Sequence, residues 1–342
     1  MRSNDVLILR GEEVAALLAG RETEVMDAVA RAYVAHGRGQ SSLPHSTFLR
    51  FPDDERNRII ALPAYLGDGF EVAGMKWVAS FPGNLEKGLA RASAVLILNS
   101  AQTGLPEAIL ESSLISARRT AASAALAARE LRRGRPTPAA GLIGTGVINF
   151  ETARFLARAL PDLSRCVLYD LDGERAGSFA ERLRGMLSEL PGARPIEVAV
   201  AGSPGEVFRD CPLVAFATTA IKPHVADLAA CPAGATILHT SLRDLAPEVI
   251  LASDNVVDDP DHVARAQTSI HLAEQLAGNR DFIRCTLADL LTGEAPAKRD
   301  EDAVTIFSPF GLGVLDLAVG QLARERALAT GRGTVIESFL PI

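Results

Sequence analysis

Apolar positions along the first third of the chain change period. Val14, Leu17, Leu18, Val25, Val29 and Val34 recur at helical spacing, which predicts a helix over 12–37. The period then shortens. Segments 46–51, 58–62, 70–80 and 93–99 read as short strands, with 52–57 as a hairpin loop between the first two. Short loops between successive strands predict an antiparallel sheet. An Ala-rich helix carrying Arg118-Arg119-Thr120-Ala121-Ala122 comes next, and Arg132-Arg133-Gly134-Arg135-Pro136 stops it. From Ala139 the rhythm becomes strand, helix, strand. Strands at 139–143, 165–169, 195–200, 213–217, 236–240 and 255–258, with helices such as 150–160 and 173–190 among them, predict a doubly wound parallel sheet. A glycine-containing segment, 308–313, leads into a last helix ending near Thr330. The fold class expected is α/β, a parallel sheet beside an α+β part with a mainly antiparallel sheet.

Length and charge narrow the function. A chain of 342 residues favours two domains over one core. A net charge of −7 argues against a general nucleic-acid or anionic-membrane binder, but leaves room for a local basic pocket. Neither a signal-peptide core nor an apolar run of membrane-spanning length stands out, and Cys166, Cys211, Cys231 and Cys285 form no paired motif. The expectation is a cytoplasmic protein with reduced core thiols. No His-x-x-x-His or Cys/His cluster exists, so no metal is expected, and Asp258, Asp259 and Asp261 read as a solvated turn.

The parallel half carries the clearest chemistry. Strand 139–143 runs into Gly144-Thr145-Gly146-Val147, a turn whose glycines let backbone approach a pyrophosphate at a helix N-terminus. Asn149 stands where a third glycine is usual. Asp170 ends the next strand at the spacing of a ribose-binding acid, which favours NAD over NADP; the alternative is an aspartate capping the following helix. Thr218-Thr219 and Ser241-Leu242-Arg243-Asp244 follow later strands, at the edge where such sheets bind ligands. Asp244 reads either as a cleft acid or as an exposed aspartate pairing with Arg243 or capping the helix near Pro247.

Lys76 lies in a strand apolar on both faces, so it needs an anionic partner, either a substrate carboxylate or an unseen Asp or Glu. Arg119 sits among Ser113, Ser116, Ala117, Ala121 and Ala122, small residues that leave little water around a guanidinium suited to a carboxylate. Arg118 reads as its solvated neighbour.

Together Lys76, Asn84, Gly88, Thr103-Gly104, Arg119-Thr120-Ala121-Ala122, Gly144-x-Gly146, Asp244 and Phe310-Gly311-x-Gly313-x-x-Asp316 resemble the ornithine cyclodeaminase/μ-crystallin family over nearly the whole chain. Segments 76–82, 88–94, 148–152 and 258–263 resemble one branch, which oxidatively cleaves N-(2-amino-2-carboxyethyl)-L-glutamate to L-2,3-diaminopropionate and 2-oxoglutarate for siderophores or peptide antibiotics. The resemblance implies a substrate-binding and dimerisation domain (1–118 and 306–342) around a Rossmann-type NAD domain (119–305). It implies a homodimer, an amino-acid-conjugate substrate, no nucleic acid or membrane partner, and a pyridoxal-phosphate-dependent synthase as pathway neighbour. By the same resemblance Lys76 and Arg119 bind the substrate carboxylate, with Arg91 as a further substrate residue, and Asp244 with Lys76 serves catalysis. Arg119, Thr120, Gly144, Thr145, Gly146, Val147, Asn149, Asp170, Thr218, Thr219, Ser241, Leu242 and Ser308 hold the cofactor. A family arginine upstream of Lys76 has His45 and Arg50 as candidates here, and a family lysine after the aspartate is Glu248. The alternatives are an ornithine cyclodeaminase or imino-acid reductase, and a non-catalytic NAD(P) and small-ligand binder.

Overall fold

The computed structural model describes residues 2, 4–298 and 300–341. The strands before the glycine turn are β1 (Val6–Leu9), β2 (Ser41–Ser42), β3 (Thr47–Phe51), β4 (Asp54–Leu66), β5 (Val72–Ser80), β6 (Ala92–Ser100) and β7 (Pro106–Glu111). After them come β8 (Ala139–Ile143), β9 (Arg165–Tyr169), β10 (Glu197–Val200), β11 (Leu213–Phe216), β12 (Thr236–His239), β13 (Asp254–Val257), β14 (Ile283–Thr286), β15 (Thr305–Ser308) and β16 (Thr334–Ile336). The chain divides into two compact units, 1–119 with 312–342, and 120–311.

In the first unit the sheet order is β16-β1-β7-β6-β5-β4-β2, with β3 also on β4. All pairs are antiparallel except β1 with β7. Lys76 sits opposite Leu62 and Leu96, on the face shared by Val72, Gly74 and Ser80. The helix Gly313–Thr330 packs on this sheet at very short range. A Cβ on Gly320 would come 2.3 Å from Leu96, and one on Gly74 would come 2.9 Å from Leu317 and 2.2 Å from the Ile97 carbonyl oxygen. Gly313, Asp316 and Gly320 follow helical spacing, so the close approach presses Asp316 towards the sheet.

The second sheet is wholly parallel, ordered β10-β9-β8-β11-β12-β15-β13-β14. Its apolar core gathers Val167, Val214, Phe216, Ile237, Val257 and Ile306.

Four local expectations are corrected. The helix over 12–37 is two, Gly11–Leu18 and Glu22–Gly37, because Gly20 turns left-handed at φ 67°. The 52–57 loop shrinks to a tight turn, since β4 already begins at Asp54, whose carboxylate accepts the N–H groups of Arg56 and Asn57. The boundary placed between 305 and 306 falls instead after Gly311, because β15 pairs with β12 and β13 inside the parallel sheet. Asp258 is no solvated turn. It is buried, and its carboxylate accepts the N–H groups of Phe310, Gly311 and Asp259.

Candidate functional site

Two clusters of buried charged and polar side chains stand out, one in each unit. In the first, Lys76 Nζ donates to Asp316 Oδ2 at 2.7 Å and to the Ser116 hydroxyl at 3.1 Å. Arg119 Nε donates to Asp316 Oδ1 at 3.2 Å. Lys76, Arg119 and Asp316 are all buried. Asp316 is thus the acid that the sequence reading left unseen. Burial, and then the neighbouring Arg119 charge, bring Lys76 down to about 8, against the pull of Asp316. Two cations against one carboxylate leave a positive charge out of water, which a carboxylate ligand would neutralise. Arg118 does not point to solvent; it is buried and donates to the Leu18 carbonyl.

Further along the same sheet face lies a row of arginines. Arg50 pairs with Arg58, and Arg58 with Ser80. The Ser80 hydroxyl takes a long 3.4 Å bond from Arg91. Arg91 faces no acid among the described residues, and burial pulls its guanidinium below the ordinary value. Ser80 stands four residues beyond Lys76, roughly 13 Å along the strand. His45 lies exposed in the loop before β3, outside this row.

In the second unit Gly144 has φ 91°, and a Cβ there would fall 2.6 Å from the Ala217 carbonyl oxygen. Gly146 caps a helix, Val147–Ala159, that has no side-chain cap and no acid in its first turn. Its free N–H groups and positive end suit a pyrophosphate. Asn149 replaces the third glycine with an amide staple: buried, it donates to the carbonyls of Ile143 at 2.9 Å and Gly144 at 2.7 Å. Asp170 accepts the Thr145 N–H at 2.8 Å and its hydroxyl at 2.6 Å. Burial opposes ionisation of Asp170, but these bonds and the Asp172 N–H outweigh it and hold the carboxyl low. The helix cap is Asp172, so Asp170 is left at the strand end as the ribose reading requires. Val147, Leu171 and Ile221 are strongly exposed apolar side chains following β8, β9 and β11, a rim suited to an adenine; of these, sequence reasoning missed Leu171 and Ile221. These features fit NAD.

Asp244 is fully buried, which removes the exposed-aspartate alternative. Arg243 turns away to the Ala266 carbonyl, and Ala246 caps the next helix. The Asp244 carboxylate accepts the hydroxyls of Thr218 and Ser241, and lies 3.2 Å from His239 Nε2. Burial alone would raise Asp244, but the His239 interaction and the two hydroxyls bring it below the usual carboxylate range. Ser308 is buried at the end of β15. Leu242 is buried in the left-handed region at φ 68°. Thr120 is half-buried in the 113–131 helix, and Thr219 is exposed beyond β11. His239 was missed in the sequence because it reads as the last residue of an apolar strand. Among the described residues no His, Cys, Asp or Glu group could hold a metal, and no helix is long and apolar enough to cross a membrane.

The model of the ornithine cyclodeaminase/mu-crystallin family matches residues 6–331. The chain belongs to that family. It is 28% identical to N-((2S)-2-amino-2-carboxyethyl)-L-glutamate dehydrogenase of Staphylococcus aureus, over 94% of this chain and 95% of that one. Among solved structures it resembles the Thermococcus litoralis Delta(1)-pyrroline-2-carboxylate reductase in complex with NADH and L-proline. The TM-score is 0.87 at 27% identity, covering 96% of this chain and 99% of that one. It also resembles an archaeal alanine dehydrogenase dimer with bound NAD, with TM-score 0.84 and 28% identity over 97% and 99% of the two chains.

Proposed function

We propose that this protein is an NAD-dependent dehydrogenase that oxidatively cleaves a multi-carboxylate secondary amine, N-(2-amino-2-carboxyethyl)-L-glutamate, to 2-oxoglutarate and L-2,3-diaminopropionate. The observation that carries the reading is charge balance on the first sheet. Among the described residues Lys76 and Arg119 share a single acid, and Arg91 faces none. That face calls for more than one substrate carboxylate, whereas alanine or pyrroline-2-carboxylate offers only one. Similarity to the Staphylococcus aureus enzyme supports the same substrate, and the NAD-bound relatives support the cofactor.

NAD, when bound, accepts the hydride from the glutamate α-carbon. The chain's own residues do the rest. Lys76 and Arg119 fix a carboxylate by charge and geometry. The C–N bond becomes an imine, water adds to its carbon, and the bond breaks, with the nitrogen leaving as the diaminopropionate amine. Asp244 takes one proton from that water and passes it to the nitrogen, the hydroxyl proton follows to the nitrogen as the bond breaks, and the N–H proton lost in forming the imine goes to bulk water. Thr218 donates to Oδ1, and Ser241 and His239 lie on Oδ2, so Oδ1 keeps an acceptor site for the water proton. A binder without turnover needs no buried carboxylate held ionised in this manner.

The outward sheet face places Leu49 beside Ile59 and Ala79, and Trp77 between Ala61 and Val95. Leu49, Trp77 and Val95 are 45%, 39% and 42% exposed. We assign this apolar face to a second copy of the chain, as a homodimer, in line with the dimeric archaeal relative. The substrate assignment is tested by turnover on a panel of the conjugate, L-alanine and L-ornithine. The conjugate should be preferred by at least about 100-fold in kcat/KM, and Arg91→Leu should erase most of that preference. Alanine turned over as well as the conjugate would overturn it.

A further inference from the structure

The ends of β12 and β15 carry a buried polar chain that the proposed chemistry does not use. His239 closes β12 and is completely buried. Its Nδ1 lies 3.3 Å from the Ser308 hydroxyl, and its Nε2 lies 3.2 Å from Asp244 Oδ2. The main-chain N–H of Asp244 points at the same Nε2, also at 3.2 Å. One nitrogen cannot both donate to the carboxylate and accept that N–H. The tautomer decides which bond exists.

Each tautomer satisfies a different set. With the proton on Nε2, the ring donates to Asp244, and the Ser308 hydroxyl donates to Nδ1. With the proton on Nδ1, the ring donates to Ser308, Nε2 accepts the main-chain N–H, and the carboxylate loses a donor. A hydrogen bond to an ionised carboxylate is roughly twice as strong as one between neutral groups, so an ionised Asp244 selects the first arrangement. The groups facing Asp244 are Thr218 beyond β11, Ser241, the His239 ring, and the exposed His224 ring at 4.0 Å. His239 is faced by Ser308 on β15 and by the edge-on ring of Phe216 on β11.

We propose that His239 is a positioning residue for Asp244: an imidazole with its proton on Nε2, which donates to the carboxylate while the Ser308 hydroxyl donates to Nδ1. The proposal rests on the reading of Asp244 as the acid/base. Without that donor the buried carboxylate would keep two hydroxyls, take up a proton more readily and lose a fixed orientation. His239→Gln places an amide N–H where Nε2–H stood; His239→Leu removes the donor.

The direct test is nitrogen NMR of the whole protein labelled at histidine. Expected is a His239 ring with Nε2 protonated and Nδ1 bare. The opposite tautomer, or protons on both nitrogens, would overturn the proposal. This readout needs neither turnover nor a variant that folds. The second readout is the acid limb of the kcat/KM profile. In His239→Leu it should move up by about one pH unit or more, and in His239→Gln it should stay near the parent. A Leu variant with an unmoved limb would overturn the positioning role. An Asp244→Asn enzyme with full turnover would instead overturn the reading of Asp244, and leave the tautomer result standing.

Discussion

Lys76 Nζ lies 2.7 Å from Asp316 Oδ2, across 240 residues of chain. Gly74 and Gly320 let the last helix settle onto the strand that carries Lys76, and the ion pair forms under that contact. Asp316 then offers its second oxygen to Arg119. The acid therefore aligns both cations while neutralising only one.

Asp316→Asn keeps the shape and removes the charge. Lys76 and Arg119 would then stand buried without a counter-ion, a loss of about 3–5 kcal/mol in unfolding free energy. Urea unfolding measures it. A midpoint unchanged from the parent would contradict the charge balance drawn above.

Lys76 gives opposite pH trends for binding and stability. Its folded value of about 8 lies below the ordinary 10.5. Between the two, the unfolded chain holds a proton that the folded chain has released, so stability rises with pH through that window, by roughly 3 kcal/mol in all. Carboxylate affinity falls over the same range, because the ammonium disappears. Substrate KM should climb above pH 8 while urea resistance increases. Lys76→Met should flatten both trends.

The cofactor turn rests on Asp170 and Gly144. Asp170→Ser removes the acid that repels a 2′-phosphate, so NADP should gain on NAD by tenfold or more in affinity. Gly144→Ala sets a Cβ against the Ala217 carbonyl oxygen and strains φ. It should weaken NAD at least tenfold. Fluorescence titration of the reduced cofactors reads both effects, and an unchanged NAD/NADP ratio in Asp170→Ser would contradict the ribose assignment.

Trp77→Glu places a charge in the middle of the apolar outward face. If that face joins two copies, sedimentation should show the parent as a dimer and the variant as a monomer. A monomeric parent would refute the dimer, and a dimeric variant would move the interface elsewhere.

Much of this was legible in the sequence because it is local. The alternation around Lys76, the glycine turn and the strand-ending Asp170 depend on near neighbours, and the family motifs marked Arg119 and Asp244. Four features were not legible. Asp316 meets Lys76 only through a helix packed from the far end of the chain. His239 carries its chemistry inside a strand whose pattern is apolar. Arg118 reads as polar surface until the Leu18 carbonyl is placed beside it. β14 and β15 are short and lie at wide spacing, so the boundary was drawn before β15 rather than after it.

The most direct measurement is the stoichiometry of the reaction with synthetic N-(2-amino-2-carboxyethyl)-L-glutamate and NAD. NADH, 2-oxoglutarate and L-2,3-diaminopropionate should appear in equal amounts, and Asp244→Asn should slow all three together by at least about 100-fold. NAD bound without any NADH formed, or NADH formed from L-alanine but not from the conjugate, would contradict the proposed activity.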